Sequence, residues 1–125
     1  MSDTLADKIS DSELEVMKVL WEAREALPVN VIRETLQRER GWEATTVKTL
    51  IGRLLAKGVI AQEKRKVFYY SPLIAEEAYN AWATEHLIQK LYRGSAKNLV
   101  AALVQSEGLT QADIEELRTM FRMED

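Results

Sequence analysis

Between Glu43 and Leu73 the chain reads EATTVKTLIGRLLAKGVIAQEKRKVFYYSPL, and its best recognition chemistry is concentrated there. Thr45, Thr46 and Thr49 carry hydroxyls, and Lys48 and Arg53 carry fixed positive charge. Such groups suit a polyanion. A threonine hydroxyl can meet a base edge or a phosphate, and its methyl can touch a thymine methyl. A guanidinium can grip guanine or phosphate through two parallel bonds. Lys64, Arg65 and Lys66 follow in an unbroken row. Over residues 40–73, Arg40, Lys48, Arg53, Lys57 and this row are opposed only by Glu43 and Glu63, a local charge of +5. The flanks, residues 1–39 and 74–125, carry −4 each, and the whole chain −3. Localised charge, rather than net charge, is the electrostatic footprint of phosphate binding.

Other chemistries find no support. The chain has no cysteine, which removes disulfides, thiolate metal sites and cysteine nucleophiles. His86, the only histidine, stands beside Glu85 on a predicted helix and has a structural or surface role. Glu76, Glu77 and Glu85 read as a solvated face. There is no phosphate-binding glycine loop, metal cluster or nucleophile–base pair, so no enzyme, metal or cofactor is expected. The acidic start MSDTLADK lacks the apolar run of a signal peptide. The longest purely apolar run, Leu99 to Val104, is far too short to span a bilayer. The expectation is a cytoplasmic protein without membrane insertion.

Elements must hold the recognition residues in place. Ser10 with Glu13, or Ser12 with Glu15, can start a first helix as a capping box, and Leu14, Met17, Leu20 and Trp21 form its apolar stripe. A second helix starts near Pro28, buries Val29, Ile32 and Leu36, and breaks at Gly41. The third runs from about Glu43 to Lys57. Val47, Leu50, Ile51, Leu54 and Leu55 give it one buried face, and the threonines, Lys48, Gly52, Arg53 and Lys57 lie outside it. Gly58 ends it. Two short strands follow, Val59 to Lys64 and Val67 to Ser71, turning at the polar tip Gln62 to Lys66. After Leu73 the pattern is helical, with helices at about 74–92, 95–106 and 110–122 and Thr110 as an N-cap.

Three short helices and a hairpin form the order of a winged helix-turn-helix, whose third helix fits a DNA major groove. The fold expected is mainly α with a small β-hairpin: a DNA-binding domain over residues 1–73 and a helical dimerisation arm over 74–125. The expected DNA-binding residues are Thr45, Thr46, Lys48, Thr49 and Arg53 on the helix and Lys64, Arg65 and Lys66 on the wing. The arm carries more apolar groups than three short helices can bury alone. Tyr79, Trp82, Leu87, Leu91 and Tyr92 lie on its first helix, Leu99 and Leu103 on its second, and Ile114, Leu117 and Phe121 on its third. A two-fold dimer would cover them and present two reading heads to a palindromic operator in double-stranded DNA. Trp21 is read as core, Trp82 as part of the dimer seam, and Trp42 as a packing residue. The competing reading is a winged helix used for protein contacts, without a specific DNA site.

The segments SDSELEVMKVLWE, WEATTVKTLIGRLLAKGVI, KVFYYSPLI and LIQKLYRGSAKNLVAALV, with IEELR near the end, resemble the BlaI/MecI-type penicillinase repressors. The resemblance covers about residues 9–121. It implies a dimeric transcriptional repressor with an N-terminal winged helix and a C-terminal helical arm, acting on β-lactamase or other resistance genes. It places the positions of Thr45, Thr46, Lys48, Thr49 and Arg53 against DNA. It further implies inactivation by proteolysis in the arm, downstream of a membrane sensor-protease, at a bond that aligns with Ala102–Leu103. This chain departs from the pattern: Glu43 and Pro28 replace the usual serines, and Ala102–Leu103 replaces the usual Asn–Phe. The cysteine metal motif of the related copper-responsive branch is missing.

Overall fold

A computed structural model describes residues 5–123. The expectation drawn from the first residues of MSDTLADK therefore lies partly outside the described residues. Contacts divide the chain into two compact units, residues 1–83 and 84–125.

In the first unit, a 3-10 turn at Leu5–Lys8 precedes α1, Asp11–Ala23. Of the two candidate capping boxes, Ser10 and Glu13 form the real one. The Glu13 N–H donates to Ser10 Oγ (3.2 Å), and the Ser10 N–H donates to Glu13 Oε1 (3.0 Å). This satisfies two of the amides that a helix start leaves orphaned. Helix α2 spans Val29–Arg40 and α3 spans Ala44–Lys57. Gly41 and Gly58 close them in the left-handed conformation, φ 69° and 78°, which costs a residue without a Cβ little.

Pro28 is not inside α2. It is the extended residue before it, and Leu27–Pro28 form a short strand, β1. With β2 (Ile60–Lys64) and β3 (Phe68–Pro72) this makes a three-stranded antiparallel sheet, order β1-β3-β2, where two strands were expected. Leu27 pairs with Tyr70 and Pro28 with Tyr69. In the hairpin, Gln62 pairs with Tyr70 and Lys64 with Phe68. Pro28 sits on the outer strand and at a helix start, so its missing N–H costs little in either element.

The core joins Val16, Met17 and Leu20 of α1, Ile32 and Leu36 of α2, and Val47, Leu50, Ile51 and Leu54 of α3, closed by Val59, Ile60 and Tyr70. Leu55, expected on the buried face of α3, lies half-buried at the core margin. Trp21 and Trp42 pack against the core from its edge. The Trp21 indole N–H donates to the Ile74 carbonyl at 2.8 Å, and the Leu73 N–H to the Val59 carbonyl at 2.9 Å. These bonds hold residues 73–74 as a connection, so α4 begins at Glu76 rather than at 74.

Helix α4 spans Glu76–Tyr92, and the boundary between the units falls within it. In the second unit, α5 (Ala96–Gln105) is capped by Ser95, whose Oγ accepts the Asn98 N–H. Helix α6 (Gln111–Met123) starts with a reciprocal pair: Thr110 Oγ1 accepts the Asp113 N–H, and Asp113 Oδ2 accepts the Thr110 N–H, both at 3.0 Å. No described side chain of this unit is buried, and Leu87, Leu91, Val100, Leu103, Val104, Met120 and Phe121 are exposed. Among the described residues no helix is long and apolar enough to cross a membrane.

Candidate nucleic-acid interface

Burial of Val47, Leu50, Ile51 and Leu54 fixes the rotation of α3. It leaves Thr45, Thr46, Lys48, Thr49 and Arg53 exposed along the opposite side. The Thr49 hydroxyl donates its hydrogen to the Thr45 carbonyl (2.9 Å), so toward a partner it can act only as an acceptor. Gly52 lies on this same side, and a Cβ added there would meet nothing within 4 Å.

The hairpin carries Lys64, Arg65 and Lys66 exposed at its turn. Two of them are held from below by the aromatic strand. Lys64 Nζ sits 5.5 Å from the centre of the Phe68 ring, and the Arg65 guanidinium 4.2 Å from that of Tyr69. Arg65 also donates to Glu63 at 3.1 Å, a hydrogen bond that pushes its pKa up further.

The local excess of positive charge is smaller in space than along the chain. Arg40 pairs with Glu15 at 2.6 Å, and Lys57 with Glu13 at 2.6 Å. Lys57, expected off the buried face of α3, is half-buried, and it also donates to the Lys8 carbonyl (2.7 Å). Among the described residues Lys48, Arg53, Lys64 and Lys66 form no ion pair, so their charge is available to a partner.

Two clefts flank α3. One, of about 380 Å³, is lined by Thr46, Thr49, Arg53, Trp42, Ser10 and Ser12. The other, of about 400 Å³, lies between α2, α3 and β3 and includes Arg33, Lys48, Gly52, Phe68 and Tyr70. Burial holds the Tyr70 hydroxyl above its ordinary pKa, and the nearby Arg33 charge opposes this. The sequence marked Ser12 only as a possible cap of α1 and did not mark Arg33 at all. Their place beside α3 comes from packing between helices and leaves no mark in local spacing.

The residues expected at a dimer seam fall in two settings. Tyr79 stacks within the first unit, 5.7 Å from Trp21 and 5.9 Å from Trp82. Leu87, Leu91, Leu103 and Phe121 are exposed in the second unit, and Tyr92, Leu99, Ile114 and Leu117 are half-buried. Ala102 and Leu103 lie inside α5, the first half-buried and the second exposed. His86 is exposed on α4.

Comparison with known proteins adds five findings. The family model described as penicillinase repressor matches residues 9–123. The methicillin resistance regulatory protein MecI of Mammaliicoccus sciuri is 38% identical over 120 residues, covering 95% of this chain and 97% of that protein. The penicillinase repressor of Bacillus licheniformis is 32% identical over 111 residues, covering 88% and 86%. Among solved structures, the DNA-binding domain of the repressor BlaI superposes with a TM-score of 0.53 at 38% identity, over 58% of this chain and 88% of that one. Bacillus licheniformis BlaI, monomeric and in complex with the blaP half-operator, gives 0.51 at 39% identity, over 57% and 87%.

Proposed function

The chain belongs to the penicillinase repressor family, a family of transcriptional repressors and not of enzymes, and we propose that it represses transcription as a dimer on a palindromic operator. One observation carries this reading. The exposed side of α3 presents Thr45, Thr46, Lys48, Thr49 and Arg53 beside a basic hairpin, on a domain similar to one solved bound to a half-operator. Helix α3 enters the major groove, where Arg53 and the threonines read base edges. Lys48 and the wing residues Lys64, Arg65 and Lys66 hold the phosphate backbone.

The second unit supplies the partner contact. Its exposed apolar side chains need a cover, and a second copy of the chain gives one while setting two α3 helices at the spacing of a palindrome. Relief of repression comes from cutting the arm at Ala102–Leu103, downstream of a membrane sensor-protease. Both residues lie within α5, so the cut requires local unwinding of that helix.

Titration of the purified protein onto its own upstream DNA, against an unrelated duplex of equal length, tests the reading. Two protomers per site and a preference of roughly 10³ or more are expected. Equal weak binding to both duplexes favours a winged helix devoted to protein contacts.

A further inference from the structure

Arg33 is half-buried, and its Nε is fully buried without a hydrogen-bond partner. Among the described residues it forms no ion pair. A buried N–H left without an acceptor is costly, and with no ion pair the charge on the rest of the half-exposed guanidinium stays available to an anion entering from outside the fold. Arg33 lines the cleft between α2, α3 and β3, together with Lys48 and Gly52.

Gly52 is the second observation. A glycine inside a helix costs roughly 0.5–1 kcal/mol relative to alanine. Here a Cβ would meet nothing within 4 Å, so packing within the chain does not require the glycine. A surface that stays bare beside two cations admits close approach of something else.

We propose that the cleft between α2, α3 and the wing seats one phosphate of the DNA backbone, with Arg33 and Lys48 as its donors and Gly52 leaving room for the strand. The inference rests on the DNA-binding reading and extends its footprint to α2. Continuity argues for DNA over a soluble anion, since Lys48 and Gly52 belong to the exposed side of α3 that carries Arg53. The phosphate contact fixes the register of α3 without reading sequence.

Arg33→Gln keeps most of the side-chain stem and removes the charge. Its affinity for the upstream duplex and for an unrelated duplex is measured across a salt series beside the wild type. The expected result is an affinity loss of about tenfold on both duplexes, and a salt slope lower by roughly one per bound protomer. Arg33→Lys should keep the slope. A wild-type slope in Arg33→Gln overturns the inference while leaving the DNA-binding reading intact. Absence of any DNA binding by the wild type overturns both. Inorganic phosphate is the probe for a soluble anion: an unchanged DNA slope with lost phosphate binding assigns the cleft to free anions instead. If Arg33→Gln does not fold, Gly52→Ala decides, because it should be more heat-stable and still bind every duplex more weakly. Wild-type affinity in that variant overturns the inference.

Discussion

Lys57 Nζ and the Ser10 N–H converge on the same atom, Glu13 Oε1, at 2.6 and 3.0 Å. The start of α1 and the end of α3 are thereby tied through one carboxylate that is only 2% exposed. Burial alone would raise the Glu13 pKa, but the hydrogen bonds from Lys57 and Ser10 outweigh it and hold the carboxyl below its usual 4.5.

The folded-state pKa is depressed, so the stability it contributes is present above pH 4.5 and is lost as pH falls through the folded value. Glu13→Gln should cost about 1–3 kcal/mol at neutral pH. Urea unfolding along a pH series should show that gap constant near neutrality and shrinking below about pH 4.5. A gap that widens with acid would remove the charged pair as its cause.

Arg53→Ala should weaken operator binding by roughly 1–3 kcal/mol and leave an unrelated duplex nearly unaffected, as expected for loss of a base contact. Fluorescence anisotropy on both duplexes reads this directly. An equal loss on both would make Arg53 a phosphate contact.

The wing gives a paired prediction. Lys66 has no ion pair among the described residues, and Lys66→Ala should weaken all duplexes alike and lower the salt slope by about one per protomer. Glu63 draws on the charge of Arg65, so Glu63→Gln should strengthen binding to any duplex. Salt titrations of both variants check the signs, and a weaker Glu63→Gln would place Arg65 off the DNA.

Leu91 and Phe121 are 59% and 65% exposed in the second unit. If a second copy covers them, Leu91→Glu and Phe121→Glu should each raise the dimer dissociation constant by about tenfold or more. Sedimentation would report it, and operator affinity should fall with it. Unchanged association would move the dimer contact elsewhere on the arm.

The periodicity of α3 was legible because its apolar positions and its exposed polar positions alternate within one continuous helix. Ser10, Gly41, Gly58 and Thr110 marked ends correctly because capping is local chemistry. What stayed hidden was non-local. Pro28 marked the neighbourhood of the α2 start, but only pairing with Tyr69 and Tyr70, more than forty residues away, makes Leu27–Pro28 a strand. Lys57 counted among the free cations until Glu13 met it across the core. Arg33 gave no signal because its cleft exists only when α2, α3 and β3 meet.

The aromatic support beneath Lys64 and Arg65 has a thermodynamic consequence. Long basic side chains lose up to about 2 kcal/mol of rotamer freedom when a partner immobilises them. Phe68 and Tyr69 already restrict two of the three in the free protein, each stacking contact contributing roughly 0.5–1 kcal/mol at an exposed site. Less disorder therefore remains to be surrendered on association, and the hairpin arrives partly preorganised. Removing those rings should make binding entropically less favourable at constant charge, a signature separable by calorimetry from any change in the counterion term.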